Sequence, residues 1–173
     1  MLGSFPPKRE RWSMEFFYPN FINDMWRMMG LIFYDNKRHF EIADAKCFDK
    51  ERIVEFCATK GIALYDTATE VIRLKDNASD NFLEIVTPTD LRSMLEHMSE
   101  CDAIVTTGEK ASMVVASTFN CAMPRVGESV VIELPHRKLR FWRMPSSSRA
   151  YPLSLDKKAE YYRKMLEKEG ILI

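Results

Sequence analysis

The chain has no long apolar run. No window approaches the roughly 18 uncharged apolar residues of a membrane-spanning helix, so neither a span nor a membrane partner is expected. Met1-Leu2-Gly3 carries neither a basic nor an apolar signal region; no secretory leader is expected, and the predicted location is the cytoplasm. Closely spaced metal ligands are missing too. Cys47, Cys57, Cys101 and Cys121 form no Cys-x-x-Cys pair, and His39, His97 and His136 lie far from them and from one another. That spacing counts against zinc and against an iron–sulfur cluster, so no metal and no cofactor is expected. Cys57 and Cys101 read as small buried hydrophobes. Net charge is absent as well: 25 Lys and Arg balance 25 Asp and Glu, which argues neither for nor against nucleic acid. Locally, acid is what is missing. Between Glu133 and Asp156 there is none, while Arg137, Lys138, Arg140, Arg143 and Arg149 all fall there. Such a stripe can bind phosphates or be a solvated strand edge.

What is present is material for a core. With 173 residues and 46% hydrophobic content, one domain over residues 1–173 is expected, without repeats or low-complexity segments. A short apolar start ends at the turn Gly3-Ser4-Phe5-Pro6-Pro7, so the first strand is either unusually short or begins upstream of Met1. A helix is predicted from near Asn20 to about Gly30, with Ile22, Met25, Trp26 and Met29 facing the core. Asn23, on the flank of that stripe, is either a capping amide or a group pointing into a crevice. Tyr34 to Lys46 reads as loop; Asp49 caps a helix carrying Ile53, Phe56 and Cys57 and ending at Gly61. Residues 62–66 make a second parallel strand, followed by a polar stretch through 75–81 at the crevice end. Thr87-Pro88-Thr89-Asp90 resembles a capping box with Pro88 at the first helical position, before the stripe Leu91, Met94, Leu95, Met98. Ala103 to Thr107 is a third strand that Gly108 turns into a helix whose N-terminus is hospitable to anions, as in most α/β domains. Val130–Leu134 and Leu139–Met144 follow as strands, and Ser154 caps a last helix with Leu155, Ala159, Tyr162 and Leu166. The alternation predicts an α/β fold of three layers, α/β/α, around a mainly parallel sheet of four to five strands.

Two loops leave the carboxyl ends of strands. One is Gly3 to Pro7 with the aromatic–amide segment behind it; the other is Pro145-Ser146-Ser147-Ser148-Arg149-Ala150. In α/β folds such loops build the ligand crevice, and a serine loop of small side chains lets its backbone approach a phosphate. Taken together, the motifs resemble the uracil-DNA glycosylase superfamily, and within it the mismatch-specific and deoxyinosine (hypoxanthine) glycosylase-like branches. Gly3-Ser4-Phe5-Pro6 is similar to the family's Gly-x-x-Pro turn after the first strand. Phe17-Tyr18 and Asn23-Asp24-Met25-Trp26 resemble the aromatic pair and the Asn-x-aromatic-Trp helix start, with methionine in the aromatic's place. Met144-Pro145-Ser146-Ser147-Ser148 looks like the Leu-Pro-Ser-x-Ser loop, and Thr107-Gly108-Glu109-Lys110-Ala111 like the Gly-x-x-Ala turn between them. Each motif is short, but the set covers nearly the whole chain in order.

The resemblance implies excision of a deaminated base, uracil or hypoxanthine, from DNA by base flipping and hydrolysis of the N-glycosidic bond. The implied partner is DNA with a damaged or mismatched base, met by a monomer. Many members place Asn or Asp where this chain has Phe5, which cannot activate water, so that role shifts to Asn23, with Asn20 as alternate. Gly3, Ser4, Phe5, Phe17 and Tyr18 would line the base. The serine loop, with Arg149 or Tyr151 filling the gap in the duplex, and Lys8, Arg9, Arg11, Lys110 and Arg143 would hold DNA phosphates. Two other readings stand beside this one: a DNA-binding protein of the same fold without chemistry, and a binder of a free nucleobase or nucleotide.

Overall fold

Residues 1–74 and 82–172 are described by the computed structural model of the chain; the polar stretch 75–81 named above lies outside them. The chain divides into two compact units, Met1–Phe5 with Tyr65–Met144, and Pro6–Leu64 with Pro145–Ile173.

The first unit holds the central sheet. β1 (Leu2–Gly3) pairs in parallel with both β4 (Tyr65–Asp66) and β7 (Ala103–Thr107), and β7 runs parallel to β9 (Lys138–Met144) along its whole length. β8 (Glu128–Glu133) closes the edge antiparallel to β9, giving the order β4-β1-β7-β9-β8. The fold is α/β with a five-stranded, mainly parallel sheet, as the sequence pattern predicts. Ile104 to Thr107 are buried without alternation, the signature of a strand covered on both faces. Leu2, Ile104, Ile132, Leu139 and Phe141 form one cluster with Leu91 and Leu95 of α3 (Leu91–Glu96) and Val115 of α4 (Glu109–Phe119).

Three expectations for this unit need correction. The second parallel strand shrinks to the two residues of β4. Thr87 and Pro88 do not open a helix; they end β6 (Leu83–Pro88), which pairs antiparallel with β5 (Ala68–Arg73). Thr89 stays tied to strand backbone, its N–H bonding Thr67 O at 3.0 Å and its hydroxyl Asp66 O at 2.7 Å, so the cap of α3 falls to Asp90, which accepts from Ser93 N at 3.1 Å. Cys101, expected to be buried, is only half-buried. Arg137 of the basic stripe serves the fold: its guanidinium donates to the carbonyls of Leu95, Met98 and Ser99 and satisfies the open end of α3.

The second unit opens with a single 3₁₀ turn (Arg9–Arg11) and continues to α1 (Met25–Tyr34). That helix starts about five residues later than the sequence predicts and runs past Gly30. Its start is delayed because Asn20 and Asn23 offer their side-chain oxygens to Ile22 N (3.1 Å) and Met25 N (2.9 Å), local bonds that compete with helical ones. Ile22 therefore stays in the turn and is exposed, whereas Met25, Trp26 and Met29 are buried as expected. Gly30 is no terminator. A Cβ there would sit 2.5 Å from Asn36 O, so glycine is what lets the turn after α1 fold back onto the helix. Asp35, left-handed at φ 50°, ends the helix instead. The supposed loop from Tyr34 to Lys46 contains the last residue of α1 and also β2 (Glu41–Ile42), which pairs antiparallel with β3 (Cys47–Phe48) just beyond it.

α2 (Lys50–Lys60) begins and ends where its caps say, and α5 (Leu155–Lys168) begins where its cap says. Asp49 accepts from Arg52 N at 3.0 Å, Gly61 takes φ 65° past the end of α2, and Ser154 accepts from Lys157 N at 3.3 Å. α5 packs on α1. The core of this unit is aromatic, with Trp26–Phe40 and Phe40–Phe56 ring centroids 6.1 and 5.1 Å apart.

Candidate functional site

The serine loop lies in the second unit, and its backbone is held from three sides. Tyr162, fully buried on α5, donates its hydroxyl to Pro145 O at 2.9 Å. One turn earlier on the same helix face, Lys158 donates to Ser148 O at 2.7 Å. The backbone N–H of Asp24, at the start of α1, donates to Ser147 O at 2.9 Å. Burial, with the phenols of Tyr18 and Tyr151 adding to it, pushes the Tyr162 phenol well above its ordinary range, so it remains a donor. Inside the loop, Ser146 Oγ accepts Ser148 N–H at 3.2 Å and Ser148 Oγ accepts Ala150 N–H at 3.3 Å. Each of those hydroxyls thereby keeps its own O–H to give.

Asp24 is the junction. One oxygen receives the Lys158 ammonium at 2.8 Å and the other the Arg149 Nε at 3.3 Å. The Lys158 side chain is 0% exposed and that of Asp24 8%. Neither residue was singled out in the sequence, yet a signal existed: Lys158 falls on the apolar stripe of α5, beside Ala159 and a turn before Tyr162, where an unpaired lysine has no place.

The aromatic–amide segment is in the same unit. Phe17 and Tyr18 are half-buried. Trp26 Nε1 donates to Phe17 O at 3.1 Å, and the Tyr18 ring meets Trp26 edge-on at 6.3 Å. Tyr18 is left-handed at φ 51°, uncommon for an aromatic residue, and the chain beyond it is fastened where Ser13 N–H and hydroxyl both bond Pro19 O at 2.8 Å. Asn20 and Asn23 each already accept a backbone N–H, which leaves each amide one lone pair and its NH₂ for a water. Lys8, Arg9 and Arg11 are exposed; Arg9 also pairs with Glu15 at 2.7 Å. Tyr151, half-buried, bonds Ser148 O through its N–H at 3.0 Å.

Other predicted site residues belong to the first unit. Gly3 ends β1, its carbonyl accepting Thr67 N at 2.9 Å; Ser4 is buried and Phe5 half-buried. Two cations there already have protein partners. Lys110 donates to Leu83 O at 2.9 Å, and Arg143 reaches Glu109 at 3.3 Å and Pro124 O at 3.5 Å.

The second unit also contains a cavity of about 510 Å³, bounded by Phe21, Asp24, Arg27, Lys37, Arg38, Glu41, Arg149 and the start of α5. Arg27 is fixed there by Glu41 at 2.6 Å and by the carbonyls of Phe21 and Asn23. Among the described residues, no group of three or more His, Cys, Asp or Glu is placed to hold a metal ion. Burial pushes the Cys57 thiol up to about 11, which makes it a packing residue rather than a nucleophile. Compared with models of known families, with curated proteins and with solved structures, the chain matches none.

Proposed function

We propose that the protein is a DNA glycosylase that removes a deaminated base, uracil or hypoxanthine, by flipping it from the duplex and hydrolysing its N-glycosidic bond. The observation that carries this reading is the serine loop. Its carbonyls at Pro145, Ser147 and Ser148 are committed to buried donors, while the hydroxyls of Ser146 and Ser148 accept N–H groups and retain O–H donors. A loop fixed in this way offers mainly donors, at no further entropic cost, and donors are what a DNA phosphate takes.

Breaking the bond builds positive charge on the sugar and negative charge on the departing base. The reaction therefore needs an aromatic face for the extruded base, donors for its edge and a group that orients water at C1′. In this reading Tyr18 or Phe17 supplies the face, and Asn23 orients the water through its remaining lone pair. An amide aligns water without taking its proton, so catalysis rests on positioning and on stabilising the departing base.

The test is a panel of duplexes carrying uracil, hypoxanthine, xanthine or mismatched thymine, scored for abasic sites. Release of uracil or hypoxanthine, reduced at least about 100-fold by Asn23→Ala, is the expected result. An intact panel at high enzyme would end the proposal. A second reading, a DNA-binding protein without chemistry, is favoured by Phe5 and by the engagement of both asparagine oxygens with backbone N–H groups. It predicts salt-sensitive DNA binding, no base release and no effect of Asn23→Ala on affinity.

A further inference from the structure

The cavity bounded by Arg27, Lys37, Arg38 and Arg149 takes no part in the chemistry above, and its composition is specific. Four cationic side chains face it against two carboxylates, Asp24 and Glu41. Both carboxylates are already matched: Glu41 by Arg27, and Asp24 on its buried side by the Lys158 ammonium, which does not line the cavity. The positive surplus therefore falls to Lys37, Arg38 and the outward part of Arg149. Among the described residues no carboxylate pairs with Lys37 or Arg38, whose side chains are exposed at the mouth.

The Arg27 guanidinium is built in. Its side chain is 12% exposed, three acceptors orient it, and it lies over the Phe21 ring at 4.5 Å. Burial holds it below its ordinary range, Glu41 opposes that shift, and the like charge of Arg149 adds to it. Two guanidinium groups pressed against one space are relieved by an anion placed between them. α5 also begins at this cavity, so the positive end of a 14-residue helix adds to the same field.

We propose that this cavity binds a terminal phosphate monoester, carried by a free mononucleotide or by the 5′ end of a nucleic acid strand. A monoester is close to a dianion at neutral pH and offers three oxygens to forked guanidinium donors, which suits the positive surplus on Lys37, Arg38 and Arg149. A backbone diester carries one charge and a carboxylate one, and each leaves part of the surplus unmatched. Leu153 and Leu155 give the cavity an apolar wall for a sugar or base, and its volume is that of a small-ligand site. The turn that carries Lys37 and Arg38 is set by Asn36, whose side chain accepts Arg38 N at 3.0 Å and whose carbonyl rests on Gly30. The inference stands whether or not the protein excises bases.

Calorimetric titration of the full chain tests it. The probes are 5′-AMP, adenosine, and a short DNA single strand with either a 5′-phosphate or a 5′-hydroxyl. At least one phosphorylated probe is expected to bind at least about tenfold more tightly than its unphosphorylated partner, and Lys37→Ala/Arg38→Ala to lose at least about tenfold of that affinity. Both side chains are exposed, and unchanged circular dichroism will show that the variant folds. Tighter binding of 5′-AMP than of the phosphorylated strand assigns the site to free nucleotides; the reverse order assigns it to strand ends. The proposal is overturned if phosphate adds nothing to affinity, if the double variant binds like the wild type, or if no phosphorylated probe binds at millimolar concentration.

Discussion

At the scale of single residues, the buried Lys158–Asp24 pair decides most. An ammonium with no exposure is tolerable only because a carboxylate and the Ser148 carbonyl receive it. Asp24→Asn leaves that charge buried without its counter-ion, and a loss of about 3–5 kcal/mol in urea unfolding is expected. Adding Lys158→Met should recover part of the loss, since a well-packed apolar group often replaces a buried ion pair at little cost. A cost for Asp24→Asn of only about 0.5 kcal/mol would show that the pair is not the anchor described here. His39 gives a pH prediction. Its ring stacks on Tyr34 at 3.6 Å, and burial, followed by the charge of Arg52, lowers its pKa from the ordinary 6.5. The unfolded chain then takes up the proton first as pH falls, so this contribution to stability is present above about 6.5 and is lost as pH drops through the lowered value. Melting temperatures measured between about pH 7 and pH 5 should fall less steeply in His39→Gln than in the wild type.

At the scale of elements, caps were legible and approaches were not. Asp49 with Gly61, and Ser154, mark helix ends through bonds that close within a few residues, so α2 and the start of α5 could be read directly. α1 could not, because Gly30 answers to Asn36 across a turn and the two asparagines take local backbone bonds ahead of the helix. Gly30→Ala should cost about 1–3 kcal/mol by chemical denaturation, since the contact it makes is with backbone and cannot swing away. The same substitution displaces the turn bearing Lys37 and Arg38, so it should also weaken phosphate binding. Tyr162→Phe removes only the hydroxyl that holds Pro145 O. A stability loss of about 1 kcal/mol is expected, together with weaker DNA binding from a loosened serine loop.

At the scale of the molecule, zero net charge means that any attraction to DNA must be local. Arg11 is exposed and within reach of phosphates, whereas Arg143 is occupied by Glu109 and Pro124. Arg11→Ala should lower the slope of log affinity against log salt by about one, equally for all DNA sequences, and Arg143→Ala should lower it less. Titrations at several salt concentrations measure both slopes, and equal slopes would place Arg143 on DNA despite its protein partners.

The sequence by itself determined the α/β class, the strand β7, the capped starts of helices α2 and α5, and the position of the serine loop after β9. These follow from periodicity, caps and turn residues, which act over a few positions. Tertiary structure alone decided that Arg137 closes a helix, that Gly30 seats a turn, and that Asp24 and Lys158 lock the serine loop from 134 residues apart. A buried charge has no local signature; what it means depends on the partner that the fold brings to it.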